Sequence, residues 1–253
     1  MTLLVEAPPG RHFAQFQRGL DALTDSAFTF LEAGLRQGNS LLIIAPAQRV
    51  EHVFDRLSSG RLHPKGLADS GQLAVMDSAA ILDKLSTDGL TDWARFRGLL
   101  GPVLAQLRPH GRGTRIYTEI AGMLWEAGDS EAAIRLEELW NALAGAYTFS
   151  LFCGYTMDTQ CERAYAAPLE ELGRTHTDIL GSADDEQFGA ALDRASRELF
   201  GISLTQMAGV AGQDGTRRFP SGQRTMLWVK RNLPMSTAQL VERARRYFGA
   251  DAR

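Results

Sequence analysis

Five kinds of side chain in this sequence have types and positions that could do chemistry. Glu119 follows TRIYT, a stretch rich in β-branched and aromatic residues, and so falls near the carboxyl end of an expected strand, where open α/β sheets bind their ligands. Its carboxylate suits either contact with a ligand or the orienting of a neighbour, or else a helix-capping or ion-pairing acid at the sheet edge. Trp125 follows six residues later and suits either the wall of an apolar pocket or an ordinary lid or core aromatic. Glu137 and Asn141 are four apart and share one helical face beside Trp140, which reads as core. They suit a binding site, a subunit contact or a solvated helix flank. His12 opens the first expected strand, His176 stands in a polar stretch, and Cys153 and Cys161 are the two thiols. A metal site would need several of these to converge, which spacing alone cannot show, so hydrogen-bonding histidines and a quiet buried Cys153 are the expectation. No metal set and no cofactor is assigned from these residues.

The elements that must position these groups alternate between strand and helix. Strands are expected at 12–17, 41–46, 73–77, 115–120 and 149–155. LLIIAP and FSLFCGY are short apolar runs suited to strands covered on both faces. Leu20, Leu23, Ala27, Phe30, Leu31 and Leu35 recur at helical spacing, with Gly38 placed to end the helix. Ala132, Leu136, Leu139, Trp140 and Leu143 form a second stripe between an N-cap at Asp129 or Ser130 and Gly145. Five strands joined by helices require right-handed crossovers and a mostly parallel sheet, a three-layer α/β fold. One further helix is expected over 158–172, followed by a polar connector over 175–185. From Asp185 onward only helices are expected, the first on Phe188, Ala191, Leu192, Ala195 and Leu199. A short one follows Ser203, another covers 223–233 before Pro234, and a last starts at Ser236 with Gln239 at capping-box spacing. Residues 211–222 read as a loop. The chain thus divides into an α/β body, 1–180, and a helical appendage, 186–253.

The 253 residues contain 44% hydrophobic and 23% charged side chains, ordinary for a globular protein. No apolar run approaches the roughly 18 residues of a membrane span, and MTLLVEAPPG lacks the basic region of a signal peptide. With two cysteines giving no disulfide framework, a cytoplasmic protein is expected. Charge is unevenly spread. Residues 216–253 hold nine Lys/Arg against two acids, a net +7, which leaves 18 basic and 28 acidic residues, a net −10, in 1–215. Arg217, Arg218, Arg224, Lys230, Arg231, Arg243 and Arg246 are therefore candidate contacts to an anionic partner, DNA being the commonest. The alternative is a tail that docks on the protein's own acids. Nucleotide hydrolysis is disfavoured. No GxxxxGK[ST] is present, the three lysines (Lys65, Lys84, Lys230) lie away from any Gly-rich strand-to-helix turn, and no GxGxxG, GxSxG or HExxH occurs.

Several stretches resemble the MEDS domain, the sensory domain named for methanogens, methylotrophs and the dichloromethane regulator DcmR. They are HFAQF at 12–16, FLEAGLRQGNSLLIIAPAQR at 30–49, EIAGMLWEAGDSEAAIRLEELWNAL at 119–143, FSLFCGY at 149–155 and RTHTDIL at 174–180. The resemblance implies a RecA/KaiC-like fold without its phosphate loop and a sensing role, with hydrocarbon-like small molecules as suggested ligands. No catalytic residue is carried over. FGISLTQM at 200–207, RFPSGQRTMLWVKRNL at 218–233 and STAQLVERARRYFGAD at 236–251 resemble the C-terminal DNA-binding domain of the replication initiator DnaA. That resemblance implies duplex contact by a basic loop and helix-turn-helix. The chain stops where the recognition helix would begin, which leaves phosphate contacts but little base reading.

Three functional classes follow. The first is a non-enzymatic sensory regulator, with a ligand held near His12, Phe16, Pro46, Glu119, Trp125, Glu137, Asn141 and Tyr155 and a tail presented to DNA. The second is a protein-interaction or homodimerisation module on a degenerate ATPase fold. The third is an enzyme whose nucleophile is not recognisable from the sequence.

Overall fold

The computed structural model describes residues 2–60, 62–85, 92–107, 113–165, 168–211 and 216–250. Its strands are β1 (His12–Gln17), β2 (Ser40–Ala45), β3 (Leu73–Asp77), β4 (Thr114–Thr118), β5 (Phe149–Thr156) and β6 (Asp178–Leu180). They form one six-stranded, all-parallel sheet in the order β3-β2-β4-β5-β1-β6. The register is direct: Ile43 pairs with Val75 on one side and Tyr117 on the other, and Tyr117 pairs with Phe152. Every residue of β1, β2 and β4 is buried, as in parallel strands covered on both faces, although only β2, SLLIIA, is an apolar run. The five strands expected from the sequence are all present, within two residues at their ends.

Contacts divide the chain into two compact units. The first comprises Met1–Gln15 and Gly19–Thr156, the second Phe16–Arg18 and Met157–Arg253. The helices of the first unit are α1 (Thr2–Glu6), α2 (Leu20–Arg36), α3 (Ala47–Ser59), α4 (Pro64–Asp69), α5 (Ser78–Leu85), α6 (Trp93–Gln106), α7 (Ile120–Glu126) and α8 (Ser130–Ala144). Helix α2 buries Leu23, Ala27, Phe30, Leu31 and Leu35 and gives way to Gly38 at φ 75°, a left-handed position that a glycine occupies without strain. Asp129 caps α8 by accepting a hydrogen bond from Ala132 N, and Gly145 stands at its other end.

Period-two alternation along β5 separates the two faces of the sheet. Phe152 meets Phe30 of α2, whereas Phe149 meets Trp140 of α8. Trp140 is fully buried, edge-on to Phe96 at 5.0 Å, and is core as expected. Arg115 in β4 is also buried. Its guanidinium donates to the carbonyls of Leu4, Val5 and Phe30 and to Gln37 Oε1, at 2.7–2.8 Å, and lies over the Phe30 ring. It ties α1 and the end of α2 to the sheet. Burial lowers its pKa to about 10.

The second unit departs from the sequence reading in three places. The single helix expected over 158–172 is a 3₁₀ turn, Glu162–Tyr165, and a separate helix α9 (Leu169–Thr175) whose N-cap is Pro168. Proline has no amide hydrogen and disfavours helix in the residue before it. The connector expected over 175–185 contains β6. Within the loop expected over 211–222, residues 212–215 lie outside the described ones, and the rest includes a 3₁₀ turn, Thr216–Arg218, and the start of a helix. Four more helices follow α9: α10 (Ala183–Phe200), α11 (Leu204–Ala211), α12 (Ser221–Asn232) and α13 (Thr237–Ala250). Ser182 and Asp185 form a reciprocal capping box at α10. Ser236, expected to cap the last helix, ends a 3₁₀ turn, Pro234–Ser236, and α13 begins one residue later. No helix among the described residues is long and apolar enough to cross a membrane.

Candidate functional site

The carboxyl ends of three strands deliver their next residues to one cleft of the first unit. Beyond β2, Pro46 caps α3, and Arg49 points back from its first turn. Beyond β4, Glu119 takes the N-cap position of α7, its amide donating to Ile44 O at 3.0 Å. Gly154 and Thr156 come from the end of β5, and Leu20 from the start of α2. The cleft offers about 150 Å³ and is also lined by Gln48, His52, Gly122, Met123 and Glu126.

The floor of the cleft is an ion pair. Arg49 Nε donates to Glu119 Oε1 at 2.7 Å and Nη2 to Oε2 at 3.3 Å, with both side chains over 90% buried. Arg49 Nη1 donates to Leu20 O and Thr24 Oγ1, and Tyr117 Oη donates to Glu119 Oε1 at 2.7 Å. Burial foremost, then the charge and hydrogen bond of Glu119, hold the Tyr117 phenol well above its ordinary pKa, so it remains a donor. Helix α7 must approach β5 closely for this arrangement, and Gly122 permits it. A Cβ there would stand 2.4 Å from Gly154 O. Of the two structural roles open to Glu119, ion pairing and helix capping, the ion pair is formed and its side chain makes no capping bond. Arg49 was not singled out from the sequence. The signal was available: a lone arginine three residues past the end of an expected strand, at the edge where ligands bind.

A second group lies where α8 faces β1 and β5, and it gathers residues scattered over 140 positions. His12 Nδ1 meets Asn141 Oδ1 at 2.9 Å, and its Nε2 lies 3.1 Å from Glu137 Oε2 and 3.3 Å from Cys153 Sγ. Cys153 Sγ is 3.3 Å from the same Glu137 oxygen, and Tyr155 Oη donates to Glu137 Oε1. Glu137 is 0% exposed, so the solvated-flank reading of this face is replaced by a buried polar cluster. Burial first, then the Glu137 charge, raise the pKa of both Cys153 and Tyr155 well above their ordinary values.

The residues expected to share one ligand site are thus distributed. Glu119 and Pro46 line the cleft; His12, Glu137, Asn141 and Tyr155 form the buried cluster. Trp125 is half-buried in α7 and does not line the cleft. Phe16 belongs to the second unit, where it stacks on Phe219 at 6.4 Å and 7°. His176, also of the second unit, is buried with Nδ1 2.9 Å from Leu172 O. Cys161 is half-buried.

Residues 11–177 match the family model described as MEDS, the MEthanogen/methylotroph, DcmR Sensory domain. The chain belongs to the MEDS family. Its sensory role follows at that level, and the cleft and the buried cluster both fall inside the MEDS region. A search of curated proteins returned no match.

Five of the seven candidate DNA contacts are engaged within the second unit. Arg231 pairs with Glu170, Arg243 with Glu198 and Arg246 with Glu242. Arg218 donates to His176 O and Lys230 to Tyr165 O. Arg245 reaches Gln160 O at 3.1 Å and Asp158 at 3.4 Å. Arg224 is half-buried on α12, and the Arg217 side chain lies outside the described residues.

Proposed function

We propose that this MEDS protein is a non-enzymatic sensory regulator whose α/β body binds a small organic molecule in the cleft over Arg49 and Glu119. Its second unit would carry the response to DNA. The observation behind the ligand half is the buried ion pair in the cleft floor. Such a pair contributes little net stability, because desolvation of the two charges offsets most of their attraction. Its position at the carboxyl edge of a parallel sheet favours recognition over support. The volume sets the ligand class. About 150 Å³ is below the roughly 300–1,000 Å³ of drug-sized sites, and an engineered cavity of about 150 Å³ holds benzene. A molecule of a few heavy atoms fits, with an apolar body against Leu20, Pro46 and Met123 and a hydrogen-bonding end toward the ion pair. A triphosphate finds little to hold it, since the Arg49 guanidinium is committed to Glu119 and the lining contains no lysine. This agrees with the RecA-like, loop-less descent that the family resemblance implies.

Sensing further requires that the ligand favour one state of the protein over another, since equal affinity shifts nothing. The test is thermal unfolding of the full chain with dichloromethane, methanol, C2–C4 alcohols and short carboxylates at millimolar concentration. At least one compound is expected to raise Tm by several degrees, as mass action predicts for a ligand well above its Kd, and the shift should vanish in Met123→Trp, which fills the cleft. Equal shifts in both proteins, or none across the panel, would reject the cleft as the sensory site.

A protein-interaction role is the second reading, and it has its own support. Ile202, Met207 and Val210, the last 80% exposed, lie on or beside α11, and Met235 is 95% exposed. Apolar side chains so placed are what a partner protein would cover.

A further inference from the structure

The cluster under α8 carries chemistry that the sensory cleft does not use. His12, Glu137 and Cys153 direct three different donor atoms, Nε2, Oε2 and Sγ, at one another with separations of 3.1, 3.3 and 3.3 Å. Bonds of about 2.0–2.3 Å to a tetrahedral zinc ion imply ligand-to-ligand edges of about 3.3–3.8 Å. The three atoms are therefore within a few tenths of an ångström of one face of such a tetrahedron.

The surroundings of each donor are those of a held ligand. A metal-binding imidazole usually gives its other N–H to a carbonyl or carboxylate, which fixes the ring and its tautomer. Here Nδ1 faces Asn141 Oδ1 at 2.9 Å, an acceptor suited to an Nδ1–H, and the Nδ1–H tautomer would turn the lone pair of Nε2 to the other donors. A ligating carboxylate is itself hydrogen-bonded, and the other oxygen of Glu137, Oε1, accepts from Tyr155 Oη. The positions are rigid. His12 and Cys153 are on the buried strands β1 and β5, and Glu137 and Asn141 are one turn apart on α8. Charge points the same way. Glu137 is completely buried, and a buried carboxylate needs a cation beside it. A divalent ion there would balance the carboxylate and a Cys153 thiolate together.

We propose that His12, Glu137 and Cys153 bind a divalent first-row transition-metal ion, zinc in the first instance. Imidazole and thiolate select this class over magnesium and calcium, which take oxygen donors. On binding, the ion displaces the Cys153 thiol proton to solvent or buffer, and the S–metal bond replaces S–H with no change of oxidation state. The site lies on the face of the sheet opposite Tyr117 and Phe152 and does not depend on the Arg49–Glu119 cleft.

The test uses the full-length chain, stripped with chelator and checked for native circular dichroism, then titrated with Co²⁺ and back-titrated with Zn²⁺. One equivalent of Co²⁺ is expected, with a thiolate-to-cobalt charge-transfer band and intense visible bands of tetrahedral geometry, all displaced by Zn²⁺. Cys161→Ser should keep the charge-transfer band and Cys153→Ser should lose it. Asn141→Ala should keep it while weakening affinity by about 10–100-fold, the usual effect of removing a supporting hydrogen bond. A folded wild-type chain that takes up no stoichiometric Co²⁺ or Zn²⁺ would overturn the proposal, whatever the variants do. A band that survives in Cys153→Ser and disappears in Cys161→Ser would overturn it as well.

Discussion

Arg49 and Glu119 hold each other through two charge-assisted hydrogen bonds, and neither can be removed without leaving the other's charge buried. Losing one member of such a pair costs about 3–5 kcal/mol, whereas losing both can be close to neutral. Arg49→Met is therefore expected to lower stability by about 3–5 kcal/mol, with the Glu119 charge left to the Tyr117 hydroxyl. Glu119→Gln keeps an oxygen for Tyr117 and Arg49 and should cost less. The double variant should lose clearly less than the sum of the two. Urea unfolding of the four proteins measures this coupling, and additivity within about 0.3 kcal/mol would mean that the pair does not act as a unit. At this scale the sequence was partly legible. Glu119 could be placed because the end of a strand is visible in a run such as TRIYT. His12, Glu137, Asn141 and Tyr155 each drew attention by type, and Cys153 by its buried strand. Their convergence was not legible, because His12 and Cys153 are separated by 141 positions and joined only through strand order. Arg49 was missed for another reason: its place just past a strand end was visible, but an arginine on the first turn of an amphipathic helix also reads as solvated until its neighbours are known.

Elements are legible in proportion to their length and regularity. LLIIAP and FSLFCGY announced β2 and β5 because a strand buried on both faces must be apolar throughout. The three residues of β6, Asp178–Leu180, sit among Thr, His and Asp and offer too short a pattern to set against a connector. The stretch 158–172 has helical composition, but Pro168 divides it. In the second unit one carboxylate joins two helices. Ser203 Oγ donates to Asp193 of α10 and accepts from Gln206 N in the first turn of α11, and Arg197 Nε donates to Asp193 at 2.9 Å. Burial alone would raise the Asp193 pKa, but the hydrogen bonds of Ser203 and Arg197 and the Arg197 charge outweigh it, and the carboxyl is held below its ordinary value. A carboxylate with a lowered folded pKa stabilises the fold above its unfolded pKa, near 3.9, and loses that contribution as pH falls through the folded value. Asp193→Asn should therefore be less stable than wild type at neutral pH, with the difference shrinking below about pH 4. Chemical unfolding at pH 7, 4 and 3 would show it, and a difference independent of pH would contradict the assignment.

On the scale of the whole chain, the excess of positive charge in residues 216–253 has two competing uses, and the energies involved separate them. Arg231, Arg243 and Arg246 already have carboxylate partners, but exposed pairs of this kind contribute only about 0–1 kcal/mol each. A duplex whose phosphates met several of these cations at once could displace those partners, because each contact releases condensed counterions. If the regulator reading is right, fluorescence anisotropy with a mixed-sequence duplex should show binding that weakens linearly in log Kd against log salt. For about five or six phosphate contacts the slope of log K would be about −5, and Arg231→Ala and Arg243→Ala should each reduce its magnitude by about one. Little dependence on base sequence is expected, since phosphate contacts carry little sequence information. A chain that binds no duplex at 50 mM salt would reject DNA as its target. The intramolecular pairs would then be the resting arrangement of a protein-facing surface, with the exposed apolar residues Ile202, Met207 and Val210 as the part that a partner covers. Replacing Val210 with Asp would then abolish partner capture while leaving the duplex measurement unchanged.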